Sequence, residues 1–203
     1  MNARVQVFGP AYLDRVVRVD RPLLDRGGGP PLDQSVEGRP RFGEGDRLEL
    51  VDPTGTTLSI ALPDDWSGPR GVVDLEQPLA SVPEGVRNLR AESWTDDLGG
   101  MGAGFAAALG GTLVSALGAE NDPVGRVVVE LLDRRRITHH CLRVADRPDD
   151  WTLLISSGRH GDKLAVGFRG CHAGLAAEAL TPPLAESCDL RVVAGLPNRL
   201  AAA

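Results

Sequence analysis

A glycine-dense segment at residues 99–104 most constrains how this chain can fold. It reads Gly-Gly-Met-Gly-Ala-Gly and leads into small apolar residues that predict a helix over 101–109. An apolar run then predicts a strand over 112–117, and Asn-Asp-Pro at 121–123 begins a second predicted helix over 123–135. A helix, a short apolar strand and another helix in this order favour an α/β fold, in which helices flank a mostly parallel sheet.

Other parts of the chain predict the remaining strands and a hairpin. Strands are predicted at 4–8, 16–19, 138–144, 151–156, 163–169 and 190–194, the last as a buried strand, and a short helix at 173–180. Alternating residues on either side of an Asp-Pro-Thr-Gly turn predict a β-hairpin over 47–62. Residues 22–46 are rich in glycine, proline and charge, which predicts a loop, and 63–96 give no clear prediction.

The composition argues against several classes of protein. The chain has 203 residues, 42% hydrophobic and 25% charged, as is usual for one globular domain. Its formal net charge of −6 argues against general binding to nucleic acid. No apolar run approaches the roughly 20 residues that span a bilayer, and the N-terminus lacks the apolar core of a signal peptide. We therefore expect no membrane partner, a cytoplasmic location and three reduced cysteines.

Asp14 is the first candidate for a binding residue. It follows the first predicted strand, which Gly9-Pro10 ends. An ionised carboxylate only accepts hydrogen bonds, which suits it to the hydroxyl groups of a sugar. An isolated Asp at such a place also serves as a turn-forming or capping residue, so both interpretations stay open.

The glycines at 99–104 likewise have two interpretations. Glycines at a helix entrance let a polar ligand approach the backbone, whose unpaired N–H groups offer hydrogen bonds. They also permit close packing of the helix without any ligand. Their spacing matches neither the phosphate-binding loop Gly-x-x-x-x-Gly-Lys-Ser/Thr nor Gly-x-Gly-x-x-Gly, and residues 94–97 before them are polar rather than a clear strand. These two observations disfavour a nucleotide-binding loop and a nicotinamide-dependent oxidoreductase.

Arg169 is a third candidate, at the end of the predicted strand 163–169. A guanidinium there can hold a carboxylate or phosphate with two hydrogen bonds, or it can be a solvated cation. Asp162 and Lys163, at the other end of this strand, are predicted to be turn residues of a hairpin.

The histidines and cysteines do not predict a metal site. His139, His140 and Cys141 are adjacent, but a zinc site needs a second cluster of ligands, and His160 and His172 stand alone in the sequence. The triplet is therefore predicted to lie at a strand edge. No Gly-x-Ser-x-Gly motif or other nucleophile pattern is present.

Three features together resemble the PfkB, or ribokinase-like, carbohydrate kinases: Asp14, the Gly99-Gly100 turn, and the Gly-x-x-x-Asp-x-x-Gly turn at 118–125. The resemblance covers nearly the whole chain apart from the variable stretch 20–96. It implies an α/β fold, a ribokinase-like layered sheet with flanking helices that is incomplete here. It also implies a small β lid whose segments lie within 16–62.

The resemblance also implies which residues bind the substrate. In the family, the Asp matched by Asp14 and the Gly-Gly turn matched by Gly99-Gly100 contact the sugar. Gly104 stands where the family carries an Asn that also reaches the sugar, and Met101 stands where ribokinases carry Lys. Arg169 matches the substrate-facing Arg of ketodeoxygluconate-type members.

The family's second signature, Asp-Thr-x-Gly-Ala-Gly-Asp, has no copy in this sequence. Its last Asp is the general base, and its N–H groups hold the transferring phosphate. We therefore expect residues 1–203 to be the sugar-binding half of a C-terminally truncated kinase domain without catalytic residues. ATP and Mg²⁺ would serve the complete enzyme without binding tightly to this chain, and the lid is a candidate homodimer contact. The alternative is a non-catalytic sugar-binding or interaction protein derived from the same fold.

Overall fold

A computed structural model describes residues 3–23, 35–43, 45–79, 82, 84, 87–157, 161–181 and 187–195. The strands are β1 Val5–Phe8, β2 Tyr12–Val19, β3 Ser35–Phe42, β4 Arg47–Val51, β5 Thr57–Ala61, β6 Gly71–Leu75, β7 Asn88–Gly99, β8 Thr112–Leu117, β9 His139–Arg143, β10 Trp151–Ser157, β11 Asp162–Phe168 and β12 Leu190–Val193. The helices are α1 Met101–Leu109, α2 Pro123–Arg134, α3 Cys171–Gly174 and a 3₁₀ helix Ala177–Leu180. Over these described ranges, no helix has both the length and the apolar character needed to cross a membrane.

The chain forms two compact units. The first comprises Met1–Asp14, Asp97–Trp151 and Arg169–Ala203, and the second comprises Arg15–Asp96 and Thr152–Phe168.

The first unit contains a four-stranded parallel sheet in the order β12-β1-β8-β9. Neighbouring side chains on each strand point to opposite faces, so Val7 packs with buried residues of α1 and α2. Phe8 instead packs with Cys171 of α3 and with Leu180. Parallel sheets need helices on both faces, and this sheet has them. The predicted α/β class, the strands at β1, β8 and β9, and the helices α1 and α2 are confirmed.

Contacts in the structure explain the residue types in the turn before α2. Asp122 caps the helix by accepting a hydrogen bond from the N–H of Val124 at 2.8 Å, and Pro123 occupies the first turn. Gly118 donates its N–H to Asp149 Oδ1 at 2.8 Å. A Cβ on Gly125 would lie 2.9 Å from the Asp149 Cγ, so only glycine leaves room for this buried carboxyl group. The motif thus starts a helix and encloses Asp149.

In the second unit the sheet closes into a barrel in the order β10-β11-β3-β6-β4-β5-β7-β2. The predicted hairpin is confirmed, because β4 and β5 pair antiparallel. The loop predicted over 22–46 is wrong in part, since β3 pairs with β6 and with β11. Its glycine, proline and arginines mask the apolar alternation of a strand whose stability comes from its partners.

Four other predictions need correction. Asp162 begins β11 and is buried, where it accepts hydrogen bonds from Leu23 N–H and Ser157 Oγ, so it is not an exposed turn residue. β12 is largely exposed rather than buried. β7 runs up to the glycine loop, so the polar residues 94–97 are part of a strand. The helix predicted over 173–180 is two short helices. The predicted loop at 24–34, His160 and the residues from 196 onward lie outside the described residues.

Candidate functional site

The structure brings Asp14 and the Gly99-Gly100 turn together, although they are far apart in sequence. Asp14 lies in β2, and Gly99 ends β7 directly before α1. A Cβ on Gly99 would lie 2.6 Å from the Asp14 Cγ and 2.6 Å from the Tyr12 Cε2. The Asp14 carboxylate therefore rests against the backbone of the turn at the entrance of α1.

Tyr12 is part of the same group of residues. Its hydroxyl accepts a backbone hydrogen bond from Gly100. Burial raises the pKa of Tyr12, and the carboxylates of Asp14 and Asp150 raise it further, while Arg169 opposes them. A half-buried phenol thus lies within electrostatic reach of two carboxylates and one guanidinium.

The glycines of the loop also have packing roles. Gly100 has a φ of 98°, which favours glycine, and a Cβ there would lie 2.7 Å from the Pro10 carbonyl carbon. A Cβ on Gly102 would lie 2.7 Å from the Gly9 Cα, so α1 begins in close contact with the end of β1. Close packing therefore explains Gly100 and Gly102, whereas Gly99 is needed beside Asp14.

The two remaining candidates from the sequence, Gly104 and Arg169, have different surroundings. Gly104 is exposed one turn into α1, and a Cβ there would have no neighbour within 4 Å. Arg169 directly follows β11, is exposed, and interacts electrostatically with Tyr12. The Arg169 charge therefore reaches the Asp14 group electrostatically, through Tyr12, whereas Gly104 has open space around it.

A buried chain of polar groups runs through the same unit. Asp150 Oδ2 lies 2.8 Å from His172 Nδ1, and His172 Nε2 lies 3.5 Å from Ser115 Oγ. The Ala11 N–H donates to Ser115 Oγ at 2.9 Å. The Asp150 carboxylate also accepts hydrogen bonds from the N–H groups of Gly170 and His172, at 2.8 and 2.9 Å. Cys171 Sγ lies 3.1 Å from Asp150 Oδ2.

These contacts determine the protonation states of Asp150 and Cys171. Burial alone would raise the pKa of Asp150, but the hydrogen bonds from the side chain and backbone of His172 and from Gly170 lower it well below its ordinary value. Burial, together with the Asp150 charge, raises the pKa of the Cys171 thiol. At neutral pH, Asp150 is therefore an ionised acceptor and Cys171 a protonated donor.

Sequence reasoning missed Tyr12, Ser115, Asp150 and His172. Ser115 and His172 are 57 residues apart, and no local spacing announces their contact. Only Tyr12 had a local signal, since it is two residues before Asp14 and therefore on the same face of an extended strand.

Comparisons with protein-family models and with curated protein sequences found no match. Solved structures do match. The protein Sa239 is 12% identical, with a TM-score of 0.51, over 94% of this chain and 45% of its own. The ribokinase from Thermotoga maritima is 15% identical, with a TM-score of 0.51, over 93% of this chain and 44% of its own. The adenosine kinase from Sinorhizobium meliloti is 13% identical, with a TM-score of 0.49, over 95% of this chain and 47% of its own.

The first two matches define the fold. At these identities they show the fold alone: the chain has the ribokinase-like fold, as the sequence motifs predict. It spans less than half the length of the structures that it matches.

Proposed function

We propose that this chain binds a sugar or a related polyol, and that it is the sugar-binding part of an ATP-dependent carbohydrate kinase. The observation that carries the proposal is the contact between the Asp14 carboxylate and the backbone of Gly99 at the entrance of α1. The ribokinase-like fold supports the assignment to this class of kinase.

The chemistry of the group suits a polyol. The Asp14 carboxylate accepts hydrogen bonds from hydroxyl groups, and backbone N–H groups at the start of α1 can donate to hydroxyl oxygens. The Tyr12 hydroxyl can both donate and accept, so it can exchange its hydrogen bond with Gly100 for one with the ligand. Arg169 would favour a substrate that carries a carboxylate or phosphate group.

Phosphoryl transfer belongs to the proposal for the complete enzyme. ATP and Mg²⁺ would supply the phosphoryl group and offset its charge, and a general base would take the proton of the sugar hydroxyl. This chain would bind and orient the sugar, and the lid segments that the resemblance implies within residues 16–62 would exclude water from it.

Calorimetric titration with a panel of pentoses, hexoses, sugar acids and nucleosides tests the binding function. We expect saturable binding of at least one polyol, and loss of at least tenfold in affinity on Asp14→Asn. Asp146→Asn makes the same charge change at an exposed position and is the matched control. Absence of binding across the panel, or equal affinities for the two variants, would contradict the proposal.

A non-catalytic sugar-binding or interaction protein is the second candidate function. The resemblance leaves this alternative open, because Asp-Thr-x-Gly-Ala-Gly-Asp, the motif that supplies the base and the anion hole in the resembled family, is not among these 203 residues. A coupled assay for ATP consumption over the same panel measures whether the chain itself has kinase activity. Both candidates predict no sugar-dependent turnover by the chain alone, and turnover proportional to chain concentration would contradict both, because it would require a base and a phosphate site within these residues.

A further inference from the structure

We infer that Asp150, Cys171 and His172 form a binding site for a zinc-type divalent cation. Their potential ligand atoms, one from each side chain, lie within 4.8 Å of one another, and all three residues are buried. The spacing of histidines and cysteines in the sequence does not predict this site, because its ligands come together only in the fold. It does not depend on sugar binding.

The three atoms already have nearly the right spacing. The separations are 2.8 Å between Asp150 Oδ2 and His172 Nδ1, 3.1 Å between Asp150 Oδ2 and Cys171 Sγ, and 3.6 Å between Cys171 Sγ and His172 Nδ1. A tetrahedral zinc ion with ordinary bond lengths needs ligand separations of about 3.3–3.6 Å, with the longer values for the pairs that include sulfur. Two of the three separations would therefore widen by about half an ångström.

The mixed donor set selects the class of cation. A thiolate, an imidazole and a carboxylate suit zinc, and cobalt(II) binds the same kinds of site, whereas magnesium and calcium prefer oxygen ligands alone. Binding would release the Cys171 thiol proton to solvent and move the His172 proton from Nδ1 to Nε2. Each ligand atom then offers a lone pair to the metal.

Neighbouring groups would hold the ligands in place. With its proton on Nε2, His172 can donate to Ser115 Oγ, 3.5 Å away, and this is the second hydrogen bond that metal-bound histidines usually make. The N–H groups of Gly170 and His172 fix the Asp150 carboxylate at 2.8 and 2.9 Å. The site thus has orienting partners for two of its three ligands.

The chain offers a matched control in another thiol beside a histidine. Cys141 Sγ lies 3.6 Å from His139 Nδ1, but His139 directs its Nε2 toward Asp133, 3.1 Å away on the opposite side of the ring. One metal ion therefore cannot reach all three groups. Cys141→Ser should leave metal binding unchanged.

The test is a titration of the full chain with Co²⁺ and then Zn²⁺ after treatment with a chelator. We expect one Co²⁺ per chain, a near-ultraviolet thiolate-to-cobalt band, and displacement of Co²⁺ by Zn²⁺. Cys171→Ser should remove the band, and Ser115→Ala should weaken affinity by about 10–100-fold. Cys141→Ser should retain both.

Circular dichroism of each variant establishes that it is folded. If Cys171→Ser does not fold, mass spectrometry of alkylated wild-type chain replaces it: Zn²⁺ should slow the alkylation of Cys171 below its rate in the metal-free chain and leave the rate at Cys141 unchanged. The inference is overturned if the wild-type chain takes up no stoichiometric Co²⁺. It is equally overturned if the band survives in folded Cys171→Ser, if it disappears in Cys141→Ser, or if Zn²⁺ leaves Cys171 unprotected.

Discussion

Tyr12 is the only tyrosine in the chain, so its ionisation can be followed by absorbance without interference from another phenol. Burial, Asp14 and Asp150 raise its pKa above the ordinary value, and Arg169 lowers it. We predict that Asp14→Asn lowers the measured pKa of Tyr12 and that Arg169→Gln raises it, because each variant removes one charge near the phenol. Ultraviolet titration of the folded variants measures both shifts.

Asp146→Asn serves as the control, since it removes an exposed charge elsewhere. If all three variants titrate like the wild-type chain, Tyr12 does not sense Asp14 or Arg169. The three side chains would then not form one group.

Two glycines of the loop should respond in opposite ways to the same substitution. Gly99→Ala presses a methyl group onto Asp14 and Tyr12, and such overpacking costs about 1–3 kcal/mol. Gly104→Ala places a methyl group in open space within α1, where alanine exceeds glycine in helix propensity by about 1 kcal/mol. Urea unfolding should therefore show a lower midpoint for the first variant and a higher one for the second. The reverse order would contradict the geometry described for the loop.

At the residue scale, local sequence could identify Asp14 and Gly99 but not their neighbours. A carboxylate near a strand and glycines before a helix are visible in the sequence. The contact of Ser115 with His172 is not, because it depends on which strands become neighbours and on where α3 packs.

Among the elements, the β4–β5 hairpin depends on one carboxylate. Asp52 accepts hydrogen bonds from Thr54 N–H at 2.9 Å, Thr54 Oγ1 at 2.7 Å, Thr56 N–H at 2.8 Å and Leu79 N–H at 2.7 Å. Burial alone would raise the pKa of Asp52, but these hydrogen bonds lower it overall. The ionised carboxylate thus stabilises both the turn and the segment that follows β6.

We predict that Asp52→Asn lowers the free energy of unfolding at pH 7 by about 2 kcal/mol, the usual size for hydrogen bonds to a charged group. Because the folded-state pKa lies below the unfolded value of about 4, this stabilisation is complete above pH 4 and is lost as the pH falls through the folded-state pKa. The difference between wild type and Asp52→Asn should therefore shrink in acid. Denaturant unfolding from pH 7 to pH 2.5 measures it, with exposed Asp65→Asn as the control. A difference that stays constant with pH would contradict this role of Asp52.

Elements with a local signal were predictable, and elements that depend on partners were not. α2 has buried residues at helical spacing and a cap, so its bounds follow from the sequence. In the first half of β7, small or apolar residues alternate with polar ones. Apart from Trp94, the residues that follow are polar up to Asp97, so the sequence of β7 resembles a loop. The apolar sequence of β12 predicts a buried strand, but β12 lies at the end of its sheet and, within the described residues, pairs only with β1.

For the whole molecule, the exposed apolar residues of the first unit are the main feature. Met101, Phe105 and Leu109 form a stripe along α1, and Leu190 and Val193 lie on β12. These five side chains are 45–58% exposed. Exposed apolar groups favour association with another chain, as does the edge of β12 that no described strand pairs with.

We predict that the purified chain self-associates or aggregates, and that Phe105→Gln and Val193→Thr each reduce this tendency. Both strands of the β4–β5 hairpin already have partners on each side, so a dimer through the proposed lid would use strand faces or turns rather than edges. Light scattering with thermal melting tests the prediction, with Glu130→Gln on exposed helix surface as the control. A monodisperse monomer that melts cooperatively well above ~65 °C, the upper end for ordinary mesophile domains, would contradict it.

The most direct measurement of the proposed polyol site is the ultraviolet titration of Tyr12 with and without a saturating sugar from the binding panel. A sugar held between Asp14 and the Gly99-Gly100 turn must displace or alter the hydrogen bond between Tyr12 and Gly100. We predict a saturable change in the Tyr12 titration curve that is absent in Asp14→Asn. A sugar that binds with unchanged Tyr12 ionisation would show that the polyol site lies elsewhere in the chain.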